Sequence, residues 1–447
     1  MFFTGVIEGF YGRAWTAAQR VEMLDWIAAA GMNTFVYGPK DDIKIRARWR
    51  ELYDEPEAAE LKTLLHAARA RGLNLMVAIA PCLDVVYSDY ADLGALKRRL
   101  DQLLDLDIKQ FALLFDDIPQ VMVEADVQTF GNLAAAQCHF ANSALAHVRT
   151  RQPDTHLLFC PTEYCAAFTG HDVPNSAYLN VLGSELDPKI GVFWTGPDIV
   201  SETITTASLR EVSAVLRRKP VIWENFHAND YDIRRVHAGP LAGRDPDILA
   251  LIDGFIANPN NEFEANFVPV ATTGSFLRGN GPALDEALAA WQPRFRLAFR
   301  NEMVPLDALR LLVSLHYQPF QCGPEIEELI TLSQRLLGAP REDVSTPHWQ
   351  KGLARMQGLR ERVRNLFETM TELENRDLFY AFHPYLWEAR EEVNHLVNYL
   401  EWRATGPAKG TAFPDRDRIH NFYRRGFTVA VQELLPRDRN GRYPHAP

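Results

Sequence analysis

Short, nearly continuous apolar runs recur along the first ~270 residues, and most are followed by a stretch with apolar residues at helical spacing. The runs are "TGVIEG", "NTFVYGP", "NLMVAIAP", "FALLFDD", "HLLFCPTE", "IGVFWTG", "PVIWEN" and "DGFIAN". Continuous apolar runs suit strands covered on both faces, and strand–helix alternation implies parallel pairing. The amphipathic stretches include Thr16–Ala30, Ala58–Arg71, Leu93–Leu106 and Val127–Arg151, whereas Asn225–Pro240 reads as a long loop. Eight strand units in this alternation predict an α/β fold, a (β/α)8 TIM-like barrel whose active site lies at the C-terminal strand ends. From about Gly281 strand-like runs cease. Segments such as "VPLDALRLLVSLHY", "PEIEELITLSQRLL" and "LFYAFHPYLWEAREEVNHLVNYLEW" carry helical periodicity and predict an all-α helical bundle. The expected domains are a catalytic barrel over residues 1–280 and a helical domain over 281–447, with Pro340–Pro347 a loop and "PRDRNGRYPHAP" a frayed tail.

If the barrel is right, polar residues should collect just after each strand. They do, at Glu8 and Gly9, Lys40-Asp41-Asp42, Asp84, Asp116-Asp117, Thr162-Glu163-Tyr164, Asn225 with "HANDYD", and Asn258. Tyr11, Trp15, Tyr37, Tyr164, Trp194 and Trp223 are interleaved with them. Carboxylates, amides and aromatic faces converging on one pocket suit a sugar, whose hydroxyls need polar partners and whose C–H face packs on rings. Within this set the adjacent pair Asp116-Asp117 is the sharpest feature. Neighbouring carboxylates disfavour joint ionisation, which raises one of them into an acid beside an ionised partner, the equipment of glycoside hydrolysis. The same pair could instead cap the following helix, or begin a metal site.

Composition narrows the classes. The chain has 447 residues, 47% hydrophobic and 23% charged, enough for a large core and more than one domain. A formal net charge of −11 argues against nucleic acid as a partner. No apolar run is long enough for a membrane span, and "MFFTGVIEGFYGR" reads as a short strand, with no signal-peptide pattern. Five scattered cysteines fit a reducing compartment, and the lone C-x4-C of Cys160 and Cys165 is too little for structural zinc.

The motifs "GVIEGFYGRAW", "YGPKDD", "FALLFDDI", "FCPTEYC", "WTGP", "VIWEN", "HANDYD" and "NPNNEFEAN", in this order, resemble those of glycoside hydrolase family 84 over about Gly5 to Val270. That family contains β-N-acetylglucosaminidases that remove O-linked GlcNAc from proteins, and bacterial relatives called hyaluronidases. The helical region is similar, more loosely, to the stalk-like domain of the animal enzymes. The resemblance implies substrate-assisted catalysis, in which the 2-acetamido oxygen of the substrate attacks the anomeric carbon and forms an oxazoline. It makes Asp116 the partner of the acetamide N–H and Asp117 the general acid and base. Tyr164, Asn225, Trp223 and Cys160 match the acetamide pocket. Lys40, the Gly9 carbonyl, Asp230 and Asn258 match the groups that hold the sugar hydroxyls. Asp41 and Asp42 are expected to brace their loop, and His227 and Asp232 to be scaffolding. The chain departs from the family pattern at Gly38, Glu224 and Asn261, none of them catalytic.

The implied activity is retaining exo-hydrolysis of terminal O-linked β-GlcNAc, without cofactor or metal, on glycoproteins. A cytoplasmic location goes with it. The aromatic-rich helical segment carries more apolar side chains than one buried stripe needs, so the helical region is expected to support either self-association, as a homodimer, or the substrate groove. Alternatives in the same pocket are an endo-acting hyaluronidase-like hexosaminidase and a non-catalytic GlcNAc-binding barrel. A metal-dependent deacetylase would need closely spaced imidazoles, and the thirteen histidines form no H-x3-H or H-x4-H pair.

Overall fold

A computed structural model describes residues 2–81, 83–281, 283–299, 301–414, 431 and 434. The expected tail "PRDRNGRYPHAP" lies outside them. All eight expected runs form strands: β1 (Phe3–Glu8), β2 (Thr34–Tyr37), β3 (Asn74–Ile79), β4 (Gln110–Leu114), β5 (His156–Cys160), β6 (Ile190–Trp194), β7 (Val221–Glu224) and β8 (Gly254–Ala257). They pair in sequence order, every pair parallel, and β1 also pairs with β8 to close the barrel. Every residue of β1, β7 and β8 is buried, so both faces of these strands are covered, as continuous apolar runs require.

The surrounding helices are α1 (Ala17–Ala29), α2 (Glu55–Ala70), α3 (Tyr90–Asp105), α4 (Glu124–Phe130), α5 (Leu133–Arg151), α6 (Ala177–Glu185), α7 (Thr206–Leu216) and α8 (Phe267–Leu277). Local chemistry sets their starts. Thr16 with Gln19 and Asp54 with Glu57 form reciprocal capping boxes on α1 and α2. The single helix expected over Val127–Arg151 is two, because Gly131 takes φ 75° and Asn132 restarts the chain by accepting from the Ala135 amide at 2.9 Å. Between β7 and β8 there is only a long loop and a 3-10 turn at Pro246–Leu251.

After the barrel come α9 (Leu284–Trp291), α10 (Leu306–Leu315), α11 (Pro324–Gly338), α12 (Pro347–Thr371) and α13 (Arg376–Ala404). The chain divides into two compact units, the first Met1–Gly323 with Leu373–Phe382, the second Pro324–Glu372 with the chain from His383. The boundary expected at 280/281 therefore falls inside the first unit. The reason is Trp291 in α9, fully buried against Phe295 edge-on at 4.7 Å and Phe382 at 5.9 Å, which draws α9 and the start of α13 into the barrel's unit. In the second unit, Arg403 of α13 donates to the carbonyls of Leu336, Leu337 and Ala339 and so closes the C-terminal end of α11. Among the described residues no helix is long and apolar enough to cross a membrane.

Candidate active site

A cavity of about 490 Å³ opens where the strands end. It is lined by every site residue singled out in the sequence: Gly9 after β1, Lys40 after β2, Asp116 and Asp117 after β4, Cys160 and Tyr164 at and after β5, Trp223 in β7, Asn225 and Asp230 after it, and Asn258 after β8. Such gathering follows from parallel strands whose C-terminal ends share one rim.

Adjacent side chains on a strand face opposite ways, so two neighbours entering one cavity need a break in the pleat. It comes because β4 stops at Leu114 and Asp117 adopts the left-handed region with φ 53°, which aspartate tolerates better than most residues. The first turn of α4 begins only at Glu124, after Val123, so the pair does not cap that helix.

The expectation of one shared, raised proton does not hold for Asp116. Burial pushes its carboxyl up, but the Lys40 ammonium, 2.7 Å from Asp116 Oδ2 and hydrogen-bonded to it, together with Arg46, outweighs burial and holds the group below the ordinary aspartate value. Lys40 is raised in turn: burial lowers it, and the Asp116 charge more than offsets that. Asp116 Oδ1 is buried and has no hydrogen-bond partner in the protein, and Asn258 Oδ1 is in the same condition. Asp117 is exposed to the cavity and accepts from two phenols, Tyr164 OH at 2.9 Å on Oδ1 and Tyr11 OH at 3.2 Å on Oδ2. The two carboxylates are thus wired apart, one to a cation and one to neutral donors.

Tyr11 was visible in the sequence only as one aromatic among several. Asp230 Oδ2 accepts from its amide at 2.8 Å, and Asn261 Nδ2 donates to its carbonyl at 2.7 Å. Burial, resisted by Lys40 and aided by the Asp117 charge, pushes its phenol up to about 12, so it stays a donor. Burial also raises Asp230, with Asp117 adding to the effect and the Tyr11 amide opposing it. Thr195, Ile199, Val200, Ala228 and Tyr231 complete the lining from the loops after β6 and β7. The "WTGP" motif pointed at the first of these loops, but its apolar side chains carry no chemistry that spacing can reveal.

Asn225 is a hub. Its Oδ1 accepts from Trp223 Nε1 at 2.9 Å and from Asn258 Nδ2 at 3.0 Å, and its Nδ2 donates to the Ile199 carbonyl at 2.8 Å. Gly9 leaves room for the Trp223 ring: a Cβ there would lie 2.9 Å from Trp223 Cζ2 and 3.1 Å from Ile7 Cγ1. Gly9→Ala is therefore expected to tilt the indole and disturb the Asn225 hub. Steady-state kinetics on an aryl β-N-acetylglucosaminide should show kcat/KM down about tenfold or more, with a lowered Tm. An unchanged rate would mean that the ring position is not critical.

The remaining strand-end acids are scaffolding. Buried Glu8 is clamped by Arg20 at 2.7 Å and by the Trp15 amide at 2.9 Å. Asp41 accepts from the Ala14 amide, and Asp42 from the Tyr37 and Tyr53 hydroxyls. Asp84 binds Trp49 and Arg50, Glu163 binds Ser176, and Glu224 forms a two-armed pair with Arg244 at 2.6 Å in the interior. Of the six interleaved aromatics only Tyr11, Tyr164 and Trp223 reach the cavity. Trp15 packs on Phe10 and Phe263, Tyr37 serves Asp42, and Trp194 is buried elsewhere. In the loop after β7, buried His227 is lowered to about 3 by desolvation, so it is neutral and donates Nε2–H to the Gly239 carbonyl at 3.0 Å. Asp232 pairs with Arg234 in the same loop. Among the described residues no group of three or more His, Cys, Asp or Glu side chains is arranged to hold a metal ion.

A closed parallel barrel with a sugar-sized, acid-lined cavity at its C-terminal rim is the layout of a glycoside hydrolase. Residues 4–312 match the family model described as beta-N-acetylglucosaminidase, and the chain belongs to that family. It is 44% identical over 279 residues to the protein O-GlcNAcases of Mus musculus and of Rattus norvegicus. That match covers 62% of this chain and 30% of each relative, so the chain spans less than a third of their length. A solved structure of a mutant Thermobaculum terrenum O-GlcNAc hydrolase superimposes with TM-score 0.78 at 28% identity, covering 89% of this chain and 83% of that one.

Proposed function

We propose that this protein is a retaining exo-β-N-acetylglucosaminidase that removes terminal O-linked β-GlcNAc from glycoproteins by substrate-assisted catalysis. The observation that carries the reading is the division of labour at Asp116: Oδ2 is held by Lys40, and Oδ1 is buried without a partner on the cavity wall. An ionised acceptor fixed in that way suits an amide N–H. With the acetamide so held, its carbonyl oxygen bonds to the anomeric carbon as the bond to the aglycone breaks, and Asp117 delivers a proton to the departing oxygen. Water then attacks the same carbon, Asp117 takes its proton, and the acetamide is restored. Two inversions give retention.

The phenols fit both halves. Tyr11 and Tyr164 both donate to Asp117, which holds its carboxylate toward the cavity for the part it plays as the base. A protonated Asp117 carries its own donor and releases one of them. Tyr164 is then free to donate to the forming oxazoline. Cavity size supports a single terminal sugar with its N-acetyl arm. Kinship with enzymes named for O-GlcNAc supports the glycoprotein substrate. Five cysteines scattered through a long chain, an odd number, favour a reducing compartment and so the cytoplasm. Self-association remains part of the reading: Tyr380 of α13 is 62% exposed, a ring that a second copy could cover.

The test is hydrolysis of an aryl β-N-acetylglucosaminide followed by NMR. The β-anomer should appear first, and the rate should survive exhaustive chelation. An α-anomer product, or activity lost to chelator and restored by zinc, would overturn the proposal.

A further inference from the structure

Consecutive carbonyls of an extended chain point in opposite directions. At the end of β4 two of them meet one guanidinium: Arg46 Nη1 donates to the Asp116 carbonyl at 3.5 Å, and Nη2 to the Asp117 carbonyl at 3.0 Å. The left-handed φ of 53° at Asp117 makes this possible, and the same reversal turns both carboxylates into the cavity. Arg46 lies in the β2–α2 loop and is 8% exposed. Its guanidinium sits 5.9 Å from the centre of the Tyr11 ring, whose hydroxyl reaches Asp117. Among the described residues it forms no ion pair with a carboxylate, so its hydrogen bonds go to the two aspartate carbonyls alone. A general need to secure the strand end is met one residue earlier, where the Phe115 amide bonds the Cys160 carbonyl at 2.9 Å and Thr162 Oγ1 the Phe115 carbonyl at 3.0 Å.

We propose that Arg46 is a positioning residue for the reaction, its two-pronged grip on consecutive carbonyls fixing the backbone turn that presents Asp116 and Asp117 to one sugar. The inference rests on the roles given to those two aspartates above. Planar donors at fixed spacing suit such a grip, whereas an ammonium is a point donor. Arg46 also adds its charge at Asp116, which is faced by Lys40 and Arg46 from the β2–α2 loop, Tyr11 from the β1–α1 loop, Tyr164 from the loop after β5, and Asp117 beside it.

Two substitutions separate grip from charge. Arg46→Lys keeps the charge and loses the fork. It is expected to lower kcat/KM about a hundredfold on an alkyl β-N-acetylglucosaminide and about tenfold on the nitrophenyl glycoside, because a displaced acid matters most for a poor leaving group. The acid limb of its pH profile should stay in place. Arg46→Met should show the same asymmetry with the acid limb moved to higher pH. Carboxyl NMR should report an Asp116 that titrates higher in Arg46→Met than in wild type, a measurement that needs no turnover.

Equal losses on both glycosides in Arg46→Lys, or a wild-type rate, would overturn the proposal. So would an Asp116 titration unmoved in Arg46→Met. If Arg46→Met does not fold, the leaving-group ratio of Arg46→Lys decides. A wild type inactive on both glycosides overturns the functional reading alone, and the Asp116 titration then decides the role of Arg46.

Discussion

Asp117→Asn is expected to abolish most hydrolysis of alkyl- or peptide-linked β-GlcNAc while sparing much of the turnover of an activated nitrophenyl glycoside. A positioned general acid contributes about 10²–10⁴-fold, and almost all of that is at stake when the departing oxygen is a poor leaving group. Asparagine keeps the shape and tolerates the left-handed backbone at this position, where φ is 53°. Asp117 is exposed and carries no ion pair among the described residues, so Tm should barely change. Added azide should restore turnover of the nitrophenyl substrate, because a small anion can attack the oxazoline where Asp117 no longer activates water. A loss of the same factor on both substrates would remove Asp117 from the acid role.

Asp116→Asn should behave differently in both rate and stability. It should lower kcat/KM on both substrates by a similar factor, about 10²–10³, because the same attack by the acetamide oxygen expels either leaving group and the charge opposite the acetamide N–H is gone. It also leaves Lys40, whose side chain is 4% exposed, without its anion, and breaking a buried pair in this way costs about 3–5 kcal/mol. Thermal melting should therefore fall well below that of Asp117→Asn. In the wild type, Asp116 sits below the ordinary aspartate value, so the limb of kcat/KM that it governs falls only as pH drops through that lowered pKa. Fluorination of the substrate's acetyl group supplies the matching probe. Mono-, di- and trifluoroacetyl should slow the wild-type enzyme stepwise if the carbonyl oxygen is the nucleophile. A flat series with a trappable sugar–protein adduct would rule out the substrate's own amide and void the role given to Asp116.

Much of this was legible in the chain because parallel barrels write themselves plainly. Strands covered on both faces read as runs such as "FALLF" and "PVIW", and parallel closure sends the residue after each run to a common rim. Hence Lys40, Asp230 and Asn258, the first two 190 residues apart in sequence, could be assigned to one cavity before any distance was known. What stayed hidden depends on tertiary proximity. The depressed carboxyl of Asp116 is set by Lys40 and Arg46 arriving from a different loop, which spacing does not encode. Trp15, Tyr37 and Trp194 share the chemistry of the lining aromatics, and only their tertiary contacts, with Phe10 and Phe263, with Asp42 and in the core, set them apart. A lone Gly131 in an amphipathic stretch does not announce a break until its φ is seen. The return of Leu373–Phe382 to the first unit rests on the environment of Trp291, a contact between segments far apart in the chain.

The left-handed turn at Asp117 also bears on how such a barrel can drift. Few side chains occupy that backbone region without strain, asparagine and glycine foremost among the replacements for aspartate. Both would remove the carboxyl to which the proposed function gives proton transfer, and neither needs the turn to change. Bulkier or β-branched residues would wrench the turn and take the sugar pocket with it. A descendant that gave up hydrolysis to become a lectin for N-acetylglucosamine thus has a narrow gate to pass through, one codon wide and open to very few amino acids.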